Sequence, residues 1–457
     1  MKDLDRDSID FGNGSIPRIF AQILLPTLFG MMFTVLFLLT DGIFVGKGIG
    51  SDALAAINIA MPVFNIATGF GMMFAMGASV VAAIHLSQDN LKAARINVTQ
   101  AFLAALTLGT LLAVVLYAFP DRILRLLGCS DALMPICREY YLWFIPCALF
   151  VMLQIMGQFI IRLDGSPTYS MLVEMIPACL NIFLDWLFIF PMGMGLKGAA
   201  LATDIGALLG VLMVLWYMLF RRRSLSFYRL KRSATSLVLT LRNIGYMAKL
   251  GFSGFLGEFA MSVLTLAGNY MFMKLLGEDG VASFSVACYL IPVIFMINAA
   301  IAQSGQPIIS FNYGAGNEAR VRRTLRISLL LGIGVGALIT LGFCLGIRPL
   351  VSIFLYPDTR PYDICTSGFP LYTLGFVFMA VCQIVIGFYQ STEKAVKATV
   401  LTVLRGMLFP VLFFLLLPAL FGVPGLWLAV PASELLTVVA ICIMKINFRP
   451  HDGTSSI

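Results

Sequence analysis

Residues 16–44 read IPRIFAQILLPTLFGMMFTVLFLLTDGIF. A helix needs ~20 mostly apolar residues to cross a bilayer, and this run exceeds that, with Arg18 at its start, Pro26 near its middle and Asp41 near its far end. Runs of the same kind recur at residues 53–84, 93–119, 135–161, 169–191, 196–220, 244–275, 281–310, 321–346, 362–389, 396–420 and 425–447. The composition agrees: 60% of the chain is hydrophobic, 12% is charged, and the mean hydropathy is +0.93. Soluble domains carry about 25% charge and about 45–50% apolar residues, so a soluble or disordered chain is excluded. A transmembrane β-barrel would show alternating segments of about 10 residues, not long continuous runs. The sequence predicts an all-α polytopic membrane protein with twelve transmembrane helices.

The net charge of +8 does not indicate a nucleic-acid partner, because most Lys and Arg lie in short segments between apolar runs. Arg162, Arg221, Arg222, Arg223, Arg229, Lys231, Arg232, Lys394 and Lys445 are among those expected on the inner side. That bias predicts a cytoplasmic location for both termini. Residues 1–11 mix acids and bases without an apolar core, which argues against a cleaved signal peptide. Nine scattered cysteines without a C-x-x-C read as small buried hydrophobes. His85 and His451 are too few and too isolated for a His-based metal or catalytic site. The G-x-G-x-x-G at residues 193–198 joins two membrane helices with no preceding strand, so it is not a dinucleotide site. Residues 42–48 lack the spacing and hydroxyl of a phosphate loop. The expected protein is not an enzyme and has no cofactor, and any active transport must draw on an ion gradient.

The polar stretch at residues 221–249 divides the runs into two sets of six. Asp89-Asn90 echoes Gly316-Asn317 at an offset of 227 (317 − 90), and Pro191 with Pro418 and Gly195 with Gly422 fall at the same offset. Six helices between repeats preserve topology, which predicts two pseudo-symmetric six-helix lobes related by an axis along the membrane normal. The lobes are placed at 1–220 and 244–457 with a linker at 221–243.

An ionisable group inside the bilayer costs about 2.5–3.5 kcal/mol on insertion scales and needs a reason to be there. In the N-terminal half Asp41, Glu174, Asp185 and Asp204 are read as lacking a built-in counter-charge; in the C-terminal half Glu258 and Glu434 share the membrane with Arg405. Helix direction and rise put Asp41, Asn181, Asp185 and Thr203 in one slab in the outer half of the N-terminal lobe. Asn181 and Asp185 are i, i+4 neighbours on one face. Two carboxylates, an amide and a hydroxyl suit a small cation such as Na⁺, or carboxyls that share protons. The alternative is that they serve helix–helix hydrogen bonds and caps. Glu174 lies on the same face toward the other end, Asp204 about 100° from Thr203, and Arg405 with Glu258 or Glu434 reads as a structural ion pair. Pro26 is a candidate hinge. Met31, Thr34, Met61 and Phe64 are candidate substrate-cavity residues on adaptable apolar faces, with packing as the alternative. Gly206-x-x-x-Gly210 and Gly332-x-x-x-Gly336 are close-packing faces.

Arg162-Leu163-Asp164-Gly165-Ser166-Pro167, Asn181-Ile182-Phe183-Leu184-Asp185 and Gly198-Ala199-Ala200-Leu201-Ala202-Thr203 together resemble the core pattern of the multidrug and toxic compound extrusion (MATE) family. Residues 301–316, IAQSGQPIISFNYGAG, resemble its eighth-helix segment. The resemblance covers nearly the whole chain and is closest to the DinF/MepA-like branch, where the helix 1 proline and aspartate fit Pro26 and Asp41. It implies a monomeric bacterial inner-membrane antiporter that exports cationic or lipophilic drugs in exchange for H⁺ or Na⁺, with membrane lipids as its other partners. It also implies a cation site at Asp41, Asn181, Asp185 and Thr203. Trp186 and Ser253 stand where many relatives have proline. The nearest rival is a lipid-linked substrate flippase of the same superfamily, which is expected to line its cleft with basic residues. An intramembrane enzyme would need a His-based or Gly-x-Gly-Asp motif, which this sequence lacks.

Overall fold

A computed structural model describes residues 9–231 and 233–444. Both chain ends, and with them Lys445, lie outside the described residues, as does Arg232. The described chain is helical: α1 (Ile16–Gly48), α2 (Ser51–Ser87), α3 (Leu91–Ala118), the short α4 (Pro120–Leu126), α5 (Met134–Leu163), α6 (Pro167–Ile189), α7 (Gly195–Trp216), α8 (Ala234–Gly314), α9 (Glu318–Val351), α10 (Arg360–Thr373), α11 (Gly375–Ser391), α12 (Ala395–Val403), α13 (Phe409–Phe421) and α14 (Val423–Ile443). Ten of these stretches, counting α12 and α13 as one, are long and apolar enough to span a membrane, and an eleventh is formed by α10 and α11 across a 44° bend. The 81-residue α8 holds two helices separated at Gly277, whose φ of 67° is non-helical. This is a multi-pass membrane protein, and its architecture is consistent with twelve spans.

The chain divides into two compact units, Met1–Phe255 and Leu256–Ile457. In the first, α2 packs on α5, α5 on α7, and α6 on both α1 and α7. Its core is built from residues such as Ile57, Val63, Tyr141, Phe144, Ile145 and Ala199. Glycines set the closest approaches. A Cβ on Gly77 would strike the Met247 carbonyl, and one on Gly251 would strike that of Met73, so α2 and the start of α8 cross backbone to backbone. Leu25, Phe29, Met32, Leu36, Leu39 and Ile43 recur every three or four residues of α1 and stay exposed, forming an outward apolar stripe suited to lipid.

Prolines inside helices leave carbonyls unbonded, and at two of them a side chain from a neighbouring helix takes the freed group. Pro146 frees the Leu142 carbonyl, which accepts the Tyr117 hydroxyl at 3.0 Å. Pro177 frees Val173, whose carbonyl accepts the Gln154 amide at 2.9 Å. Gly210 makes room for that amide, since a Cβ there would lie 2.7 Å from the Gln154 side-chain oxygen. Gly206 faces the Pro177 carbonyl. The first predicted close-packing pair therefore faces α5 and α6.

The second unit is centred on Trp427, which meets Phe272 edge-on at 5.0 Å, while Phe272 stacks on Phe284 at 4.6 Å. Gly368 leaves the space that the Trp427 indole fills. The second close-packing pair, Gly332 and Gly336, faces Ile384 and the Phe376–Val377 backbone of α11. Positions echoed in the sequence have matching structural roles in the two units. Asn90 and Asn317 both cap helices, accepting from the N–H three residues on at 3.1 and 3.2 Å. Gly195 and Gly422 both take positive φ, 61° and 65°, where a side chain would be strained.

Candidate functional site

The buried face of α6 follows an i, i+4 ladder through Pro177, Asn181, Asp185 and Ile189. The packing of α6 against α1 and α7 brings together the four residues singled out by depth. The Asn181 amide nitrogen donates to the Thr203 hydroxyl at 3.3 Å, and that hydroxyl donates to the Ala199 carbonyl at 3.1 Å. The carboxyls of Asp41 and Asp185 lie within hydrogen-bonding reach of each other. Such a bond requires a proton on one of them, because two carboxylates offer only acceptors. Asp185 is fully buried, and neither of its oxygens receives an N–H or O–H donor from the protein. Asn181 Oδ1 is buried and unpartnered as well.

Asp204, the residue after Thr203 on α7, is linked to the site through α5. It is buried, accepts from the Cys147 backbone N–H on α5, and leaves Oδ1 without a donor. Sequence reasoning missed Tyr140. This buried residue of α5 lies within electrostatic range of Asp41, Asp185 and Asp204 together. A tyrosine inside a span has no charge to mark it, and only the placement of α5 beside α6 and α7 brings it to the acids. The result is an oxygen-rich cluster with negative capacity and few donors, an arrangement that holds a small cation or protons.

Glu174 lies away from this cluster. It accepts the Thr34 hydroxyl at 2.8 Å, and Gly30 leaves room for its carboxyl, since a Cβ there would lie 2.6 Å from Oε2. The expectation that the N-terminal acids lack any counter-charge is corrected here, because Arg162, at the end of α5, is buried and exerts an attractive charge on Glu174. That cation sits at the last turn of the span, outside the apolar run read from the sequence, so a search confined to the run passes over it. Helix α1 is continuous through Pro26. Met31 and Met61 are half-buried. Phe64 packs on the core and meets Phe144 at 6.1 Å.

In the second unit the ion pair is Arg405 with Glu434. Arg405 Nε donates to both Glu434 oxygens at 2.8 Å, and Nη1 donates to Gln383 Oε1 at 2.6 Å. Arg405 sits on a π-helical turn, Leu404–Leu408, with its guanidinium 5.7 Å from the Phe295 ring centre. Glu258, on α8, is not the partner of Arg405.

Comparison with known proteins agrees with this architecture. The family model MatE matches residues 26–187 and 255–415, one stretch in each half of the chain. The multidrug export protein MepA of Staphylococcus aureus (strain NCTC 8325 / PS 47) is 25% identical over 429 residues, covering 92% of this chain and 91% of that protein. MepA of Staphylococcus haemolyticus (strain JCSC1435) is 24% identical over 454 residues, covering 96% of each. Among solved structures, an outward-facing multidrug resistance MATE transporter of the MOP superfamily superposes with a TM-score of 0.86 at 20% identity, over 93% of this chain and 94% of that one. With both halves matched and the helical fold shared, this chain belongs to the MATE family and is a transporter of the MepA-like kind, not an enzyme.

Proposed function

We propose that the protein is a secondary active efflux antiporter of the cell membrane that exports cationic or lipophilic organic compounds in exchange for H⁺ or Na⁺. One observation carries the coupling: Asn181 Oδ1, both Asp185 oxygens and Asp204 Oδ1 are buried acceptors without donors. A proton between Asp41 and Asp185 turns two repelling carboxylates into a hydrogen-bonded pair. A sodium ion would instead draw on the carboxylates with Asn181 and Thr203 as neutral oxygen ligands. Among the described residues no three His, Cys, Asp or Glu converge to hold a metal ion, so the neutral ligands are needed for that alternative.

Ion binding that favours one arrangement of the helices drives exchange by alternating access. Asp41 and Pro26 lie on the same helix, as do Met31 and Thr34, so a change of occupancy at Asp41 has a direct mechanical route to the candidate cavity, with Pro26 as the hinge. The multidrug-export names of the MepA relatives support the direction and the substrate class.

The test is efflux of ethidium from proteoliposomes under an imposed pH or Na⁺ gradient. Wild type should respond to one of the two, while Asp41→Asn and Asp185→Asn should fold and lose the response. Gradient-driven efflux retained in both variants would overturn the site, and no flux under either gradient would overturn the antiport.

A further inference from the structure

The segment that follows α7 is pinned to the first unit by a single buried carboxylate. Asp164, at the end of α5, accepts the backbone N–H groups of Arg223, Ser224 and Leu225, each at 2.8 Å, and the Tyr217 hydroxyl at 2.9 Å. Three further contacts hold the strap. Arg95 Nε donates to the Ser224 carbonyl at 2.8 Å, the Tyr228 N–H donates to the Thr99 hydroxyl at 2.9 Å, and Phe227 meets Phe102 edge-on at 5.1 Å. A fixed backbone gives the side chains fixed directions. Leu225 and Ser226 are buried, while Arg222, Arg223, Arg229 and Lys231 are exposed. Among the described residues, Arg222, Arg229 and Lys231 take part in none of the salt bridges.

Both flanks of the strap are exposed and apolar. Phe220, just before the cations, is 74% exposed, and Leu237, Val238 and Leu241 at the start of α8 are 61–66% exposed. Arg221 folds back over the Trp216 ring at 5.1 Å, at the end of the α7 span. Exposed Leu and Phe flanking exposed Arg and Lys in the chain fit the boundary where hydrocarbon gives way to headgroups.

We propose that residues 221–231, held in place by Asp164, form a binding surface for the phosphate groups of anionic phospholipids. The four exposed cations match the size of juxtamembrane basic clusters that recognise anionic headgroups. Because the backbone is already ordered by Asp164, Arg95 and Thr99, lipid binding need not order it.

The test uses the full chain in detergent, with thermal melting and native mass spectrometry as readouts and added phosphatidylglycerol, phosphatidylcholine or inorganic phosphate as probes. Phosphatidylglycerol should raise the melting temperature and remain bound, while the other two should not. The triple variant Arg222→Gln/Arg229→Gln/Lys231→Gln should melt like wild type without lipid and lose the shift, each neutralised cation weakening binding about fivefold. The control Arg122→Gln/Arg125→Gln/Arg138→Gln, on α4 and at the start of α5, should keep it. If the triple variant does not fold, Arg229→Gln alone should bind fewer phosphatidylglycerol molecules. Equal stabilisation by phosphatidylcholine, reproduction of the shift by inorganic phosphate, an undiminished shift in the strap variant or equal loss in the control would each overturn the proposal.

Discussion

Two buried acids, Glu434 in the second unit and Asp185 in the first, are treated in opposite ways. In the second unit, Glu434 receives a bifurcated bond from Arg405 at 2.8 Å, and the arginine spends another donor on Gln383. In the first unit, Asp185 has no donor on either oxygen, and its neighbour Asp41 is another acid. A paired buried charge is satisfied by the protein alone; an unpaired one is satisfied only by something that arrives from outside. An acid that the protein does not neutralise suits exchange of a small cation, and the paired acid suits a fixed scaffold.

The largest expected effect separates the two on transport. Asp185→Asn or Asp41→Asn should reduce gradient-driven ethidium efflux to the level of empty liposomes, with the melting temperature in detergent unchanged or raised, because a costly buried carboxylate has been removed. The reverse holds for Glu434→Gln, which leaves Arg405 buried without its counter-charge and should destabilise the fold by ~3–5 kcal/mol in melting or denaturant assays. The double variant Arg405→Met/Glu434→Leu should recover most of that loss, and failure to recover would mean that the pair does more than neutralise itself.

A smaller effect probes how the unpaired site is held. Gly210→Ala would displace Gln154 from the Val173 carbonyl that Pro177 leaves free, costing ~1–3 kcal/mol for the buried unbonded group and tilting the α6 segment that carries Asn181 and Asp185. Melting and efflux should fall together. The mildest is Tyr140→Phe, which keeps the ring but removes a hydroxyl within electrostatic range of three acids. It should shift the ion concentration giving half-maximal efflux by a few-fold, about 1 kcal/mol, with the maximal rate retained; an unchanged ion dependence would remove Tyr140 from the site.

Much of this was legible in residue order. Continuous apolar runs specify spanning helices because an unpaired backbone in lipid is too costly for any other open structure. The paired echoes at Asn90/Asn317 and Gly195/Gly422 marked equivalent helix starts, since caps and positive-φ turns are local features. Depth alone placed Asp41, Asn181, Asp185 and Thr203 in one slab, because rise per residue is fixed in a helix. What residue order left open was rotation and neighbourhood. The side of α7 that meets α5, and so the inclusion of Asp204 and Tyr140, is set by packing. The choice of Glu434 over Glu258 as the partner of Arg405 is set the same way. So are the capture of Glu174 by Thr34 and the pinning of the strap by Asp164. These contacts join residues 29 to 140 positions apart. Periodicity carries no information at such separations, and only the shapes of the helix surfaces, opened by Gly30, Gly77, Gly210 and Gly251, decide which groups meet.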